Sequence, residues 1–106
     1  MTQPPILVAL DTPTASEAHH LAADLVPHVA GFKVGLELLM GPGPSLVTEL
    51  RELGRPIFVD AKLHDIPNTV EAAARRLGMV GARWVTVHAS GGRQMMEAAA
   101  AGLAAG

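Results

Sequence analysis

Apolar and polar positions follow one another in blocks along this chain. Four short apolar runs, Ile6–Leu10, Gly31–Gly35, Pro56–Asp60 and Arg83–His88, begin 25, 25 and 27 residues apart. Each is continuous rather than alternating, the pattern of a parallel strand buried on both faces. Between them the apolar spacing changes to that of helices. Thr14-Ala15-Ser16-Glu17 reads as a capping box, and Ala18, Leu21, Ala22, Leu25 and Val26 continue it as an apolar stripe. Gly41-Pro42-Gly43-Pro44 forms a loop whose last proline opens a second helix; its apolar face is Leu46, Val47, Leu50 and Leu53, and Gly54 ends it. Val70, Ala73, Ala74 and Leu77 predict a third helix ended by Gly78. Met96, Ala99, Ala100 and Leu103 predict a fourth that begins near Ser90.

The repeat is therefore βα taken four times, with a period typical of a recurring supersecondary unit. Alternation of this kind implies an α/β fold with a parallel sheet and right-handed crossovers. A small doubly wound sheet and a portion of a (β/α)8 TIM barrel both fit. A whole barrel takes about 250 residues, so 106 residues hold a half-barrel at most, as a single partial domain over 1–106. In that arrangement Val34, Val59 and Val87 are expected to face the barrel interior without an opposing layer. Ile6–Leu10 and Arg83–His88 become the open edges, with no lysine or proline inside to blunt them.

Composition narrows the function. Hydrophobic residues make up 49% of the chain, and 8 Lys and Arg face 10 Asp and Glu. This balance leaves no basic surplus for nucleic acid. The absence of cysteine excludes a disulfide framework, a thiolate metal site and a cysteine nucleophile. Ile6–Leu10, the longest strongly apolar run, is far too short to span a membrane; a soluble protein of the cytoplasm is expected. Of the eight basic residues six are arginines, and the two lysines stand at 33 and 62. Lysine, unlike arginine, carries an ammonium whose pKa can be brought into a working range.

Those lysines fall where parallel α/β sheets gather their functional groups, at the carboxyl ends of strands. Asp11 follows the first run, Lys33 lies in the second, Asp60 closes the third with Lys62 two residues on, and His88 closes the fourth. If extension continues through Ala61, Asp60 and Lys62 point the same way and stabilise each other's charged forms. Asp65 adds a carboxylate in the next loop.

The segment Phe58-Val59-Asp60-Ala61-Lys62-Leu63-His64-Asp65-Ile66-Pro67-Asn68-Thr69 resembles the signature of the orotidine 5′-phosphate decarboxylases. Val8-Ala9-Leu10-Asp11, Phe32-Lys33-Val34-Gly35-Leu36-Glu37 and Val85-Thr86-Val87-His88-Ala89 resemble that family's first, second and fourth strands, in the same order and spacing. The D-x-K-x-x-D core is shared with sugar-phosphate decarboxylases and aldolases that use magnesium; the continuation His-Asp-Ile-Pro-Asn-Thr favours the orotidylate enzymes. The resemblance implies decarboxylation of orotidine 5′-phosphate to uridine 5′-phosphate in pyrimidine biosynthesis, with no metal and no cofactor. It implies Lys62 as the proton donor to C6 and Asp60 against the substrate carboxylate. Lys33, Asp60, Lys62 and Asp65 would form one preorganised charge array, and Asp11 and Lys33 would contact ribose hydroxyls. It further implies a homodimer in which Asp65, Ile66 and Thr69 reach into the neighbouring subunit's site. The resemblance covers the amino-terminal half of such a barrel, without the phosphate grip, so little activity is expected of these residues alone. A non-catalytic half-barrel used for assembly is the alternative from another class.

Other residues carry less. His19, His20 and His28 read as solvated surface rather than a metal site, and His64 as a loop residue. His88 is either a pocket residue, in the substrate-binding set, or a core histidine. Ser90-Gly91-Gly92 reads as a plain helix N-cap. Trp84, Met95 and Met96 read as packing, Arg75 and Arg76 as a solvated face, and Glu37 as structural.

Overall fold

The computed structural model describes residues 4–106. Four parallel strands, β1 (Leu7–Ala9), β2 (Gly31–Val34), β3 (Ile57–Leu63) and β4 (Ala82–Val87), form one sheet in the order of the chain. Five α-helices connect or follow them: α1 (Ala15–Leu25), α2 (Leu36–Met40), α3 (Ser45–Arg51), α4 (Pro67–Val80) and α5 (Arg93–Ala105). The expected four βα units are all present. β1 is shorter than its apolar run, and β3 runs three residues past Asp60.

A monotonic strand order with crossovers of constant hand puts every helix on one side of the sheet. Phe32, Val34, Ile57 and Val59 are 0% exposed and pack in one cluster with Ala18, Ala22 and Leu46 from the helices. This corrects the expectation for Val34 and Val59: they belong to the helix-covered face, not to a bare barrel interior, and Val87 packs beside Met95 and Val70 on the same side. The open face carries the alternate positions. In register across the strands these are Leu7 with Gly31, Ala9 with Lys33, Lys33 with Phe58, and Phe58 with Trp84. Leu7 is 40% and Trp84 41% exposed. Trp84 and Met96 are thus not core residues, as the pattern had implied, whereas Met95 is. The Arg83 guanidinium carbon lies 5.1 Å from the centroid of the Trp84 ring.

Local signals explain most boundaries. The Glu17 amide donates to Thr14 Oγ1 at 3.2 Å and starts α1. α4 continues past Gly78 and stops at Gly81, which takes the left-handed conformation at φ 108°. Gly78 instead lets two helices approach: a Cβ there would stand 2.8 Å from the Leu103 carbonyl oxygen of α5. At Gly102 of α5, a Cβ would collide with the Glu71 carbonyl of α4. Ser90 caps no α-helix; it lies in a 3-10 turn over Ala89–Gly91, and α5 starts at Arg93 after Gly92. The short helix α2 was not expected. It forms because Gly35 turns the chain out of β2, and Leu38 and Leu39 then bury themselves against the sheet.

Candidate active site

The carboxyl end of the open face holds the polar groups. Asp60, on β3, has only 14% of its side chain exposed, while the Lys33 and Lys62 side chains are 34% and 53% exposed. Both ammoniums donate to the same carboxylate oxygen, Oδ2: Lys33 Nζ at 3.3 Å and Lys62 Nζ at 2.9 Å. The other oxygen, Oδ1, accepts from the Thr86 hydroxyl of β4 at 2.7 Å. These donors hold the Asp60 carboxyl at a pKa of about 2, against an ordinary 3.8. The Thr86 hydrogen bond acts most strongly and the Lys62 bond next, against a partial burial that works the other way. Two ammoniums on one carboxylate leave the cluster with a net positive charge.

The backbone that delivers Lys62 is not an ordinary strand. Val59 pairs with Val85 and Leu63 with Val87, so Asp60, Ala61 and Lys62 stand opposite Thr86 alone. The surplus is taken up by a bulge in which Lys62 adopts φ 50°, the one positive φ outside glycine among the described residues. For an L-residue this conformation costs about 1–2 kcal/mol. It is held by the Lys62 amide, which donates to Thr86 Oγ1 at 2.9 Å, and the ladder resumes when the His88 amide donates to the Leu63 carbonyl at 3.0 Å. Asp60 and Lys62 do meet, as expected, but through this bulge rather than by simple extension.

The other expected site residues gather around the same end of the sheet without joining the cluster. Asp65 does not touch Asp60 or Lys62; its Oδ1 accepts from the Ile66 amide at 2.7 Å, ahead of α4. Within this chain the four-membered charge array is therefore a three-membered one. Ile66 is 64% exposed, and Asp65 and Thr69 are exposed beside it. Asp11 is exposed beyond β1 and borders a cleft of about 60 Å³ together with Gly35 and Glu37. His88 is exposed, which removes the reading of it as a core histidine, and its ring centroid lies 5.1 Å from that of His64. Among the described residues no group of three or more His, Asp or Glu side chains is placed to share a metal ion. His19 stands near Glu49, 3.9 Å away, on the helical side. Thr86 was missed. It lies inside the Val85–Ala89 segment, but a threonine in a strand is ordinary, and only the bulge gives it two partners.

The profile of the orotidine 5′-phosphate decarboxylase / HUMPS family matches residues 4–106. The chain belongs to this family. An orotidine 5′-phosphate decarboxylase of Lactiplantibacillus plantarum is 50% identical over 106 residues, covering 96% of this chain and 44% of that protein. A crystal structure of an uncharacterized conserved protein from Geobacillus kaustophilus superposes with a TM-score of 0.88 at 48% identity, covering 95% of this chain and 47% of that one. Orotidine 5′-monophosphate decarboxylase from Methanocaldococcus jannaschii, complexed with inhibitor BMP, superposes with a TM-score of 0.86 at 27% identity, covering 93% and 46%. The chain thus spans less than half the length of these decarboxylase-family relatives, and it aligns with one half of their barrels. Among the described residues no helix is long and apolar enough to cross a membrane.

Proposed function

We propose that these residues form the lysine–aspartate half of an orotidine 5′-phosphate decarboxylase active site. One observation carries the reading: a single carboxylate, Asp60, lies between two lysine ammoniums at the open carboxyl end of the sheet. In the reaction the bond from C6 of the pyrimidine to its carboxylate breaks, carbon dioxide departs, and the electron pair left at C6 takes a proton from Lys62 Nζ. A site with net positive charge, fixed before the substrate arrives, stabilises the negative charge that develops at C6. Asp60 holds both ammoniums in place through Oδ2, and it would lie against the departing carboxylate. Lys33 and Asp11 would contact ribose hydroxyls, with His88 at the rim of the pocket. Asp65, Ile66 and Thr69, all exposed, suit a role across a homodimer interface, in the partner's site. The protein would work in the cytoplasm, without cofactor or metal. Grip on the phosphate falls to the part of the barrel that the longer relatives possess.

The test is complementation. The chain is co-expressed with the carboxyl-terminal half of the Lactiplantibacillus plantarum relative, and loss of orotidine 5′-phosphate is followed by absorbance. The chain alone should turn over little or no substrate, and the pair should be active. Lys62→Ala in the pair should lower kcat by at least 10²–10⁴-fold, the usual worth of a positioned proton donor. Activity of the pair that survives Lys62→Ala would sink the reading.

A further inference from the structure

Among the described residues Thr86 is the only side chain that bonds both to the Asp60 carboxylate and to the backbone of Lys62. A hydroxyl has one hydrogen to give and lone pairs to accept with. Here the hydrogen goes to Asp60 Oδ1 and a lone pair takes the Lys62 amide. The two bonds constrain each other. Because the hydroxyl accepts from Lys62, its own hydrogen is directed away from that amide and onto the carboxylate. Because it donates to the carboxylate, it is polarised into a better acceptor. We propose that Thr86 is a positioning residue: through one hydroxyl it aims the Asp60 carboxylate and holds the left-handed backbone from which the Lys62 ammonium reaches it.

Among the described residues no other side chain supplies both restraints. The bulge has no glycine or asparagine to make a positive φ easy; it reads Asp60-Ala61-Lys62-Leu63. The neighbours of Thr86 on β4, Val85 and Val87, point to the helix side and have no polar side-chain atoms to offer. Lys33 and Lys62 both bind Oδ2, so Oδ1 depends on Thr86 for its orientation. A side chain of the same shape without the hydroxyl would free the carboxylate to rotate and let the bulge relax toward a regular strand. Lys62 would then meet Asp60 only part of the time.

The role in catalysis rests on the reading of Asp60 and Lys62 given above, but the geometry can be tested without turnover. In the complemented pair, Thr86→Val should speed hydrogen exchange at the Lys62 amide about tenfold, the worth of one lost hydrogen bond. In the same variant the Asp60 carboxyl, followed by carbon-13 NMR, should titrate closer to its ordinary 3.8 than the value of about 2 it has with Thr86 in place. Thr86→Ser keeps the hydroxyl and should restore both properties. Thr86→Ala provides the same comparison if the valine variant does not fold. Unchanged exchange and unchanged titration in the hydroxyl-free variants would overturn the proposal. So would a serine variant that behaves like them, because shape rather than the hydroxyl would then matter. In the complemented enzyme, Thr86→Val should lower kcat and leave KM within about twofold. An inactive complemented enzyme, alongside the expected exchange and titration changes, would count against the decarboxylase reading and leave the positioning role standing.

Discussion

The two faces of the sheet are made by the same strands and have opposite fates. On the helix side Phe32, Val34, Ile57 and Val59 are sealed from water by α1, α3 and α4. On the open side Leu7 and Trp84 remain about two-fifths exposed, and the carboxyl end bears Lys33, Asp60, Lys62 and Thr86. Both follow from the period-2 alternation of side chains along a strand. Stability is concentrated on one face because, among the described residues, only that face has a second layer. The charged cluster is on the other, where its lysines keep access to solvent. A full barrel curls the open face around its own axis and fills it with side chains from all its strands; the four strands β1–β4 supply their own share of that layer.

The largest consequence is association. Among the described residues β1 pairs only with β2 and β4 only with β3, so each leaves a row of peptide groups free beside exposed apolar side chains. The chain should self-associate at micromolar concentration, edge to edge or across its open face, as measured by sedimentation equilibrium. A monomer that unfolds cooperatively under those conditions would break the contrast between the faces. Mutations should show the same asymmetry on a smaller scale. Phe32→Ala, in the sealed layer, should cost about 3–5 kcal/mol in urea unfolding. Trp84→Ala, on the open face, should cost about 1 kcal/mol or less. Equal costs would mean that the open face is covered after all.

The smallest effect is confined to acid. Asp60 has its pKa lowered in the folded state, so the folded protein gains stability above the ordinary carboxylate value of 3.8 and loses it as pH falls toward about 2. Asp60→Asn should flatten the fall in stability between about pH 4 and 2 and leave the slope above pH 5 unaltered. If the asparagine variant loses stability with acid as steeply as the unaltered chain, the cluster at the open end contributes nothing to folding.

Much of this was legible in the residues. The 25- to 27-residue spacing of apolar runs placed four strands, and the Thr14 cap and the Pro44 start placed two helices, because these signals act over a few neighbouring residues. Two lysines among six arginines pointed to Lys33 and Lys62, and strand-end position brought Asp60 to them. The family signature was equally local. What the residues left hidden depended on pairing between strands. Val34 and Val59 lie on the face opposite to the expected one, because a continuous apolar run has no alternation from which to read the face. The helical end of α4 passed Gly78 because α5 packs there, a contact that a glycine by itself does not announce. Asp65 stood near its partners in sequence, yet its carboxylate is taken up by the adjacent Ile66 amide. The left-handed turn at Lys62 and the double hydrogen bond of Thr86 exist only because three residues of β3 stand opposite one of β4. Amino-acid order determines what each segment prefers alone; register between strands distant in the chain is decided when the sheet closes, and the aim of the site's charges is decided with it.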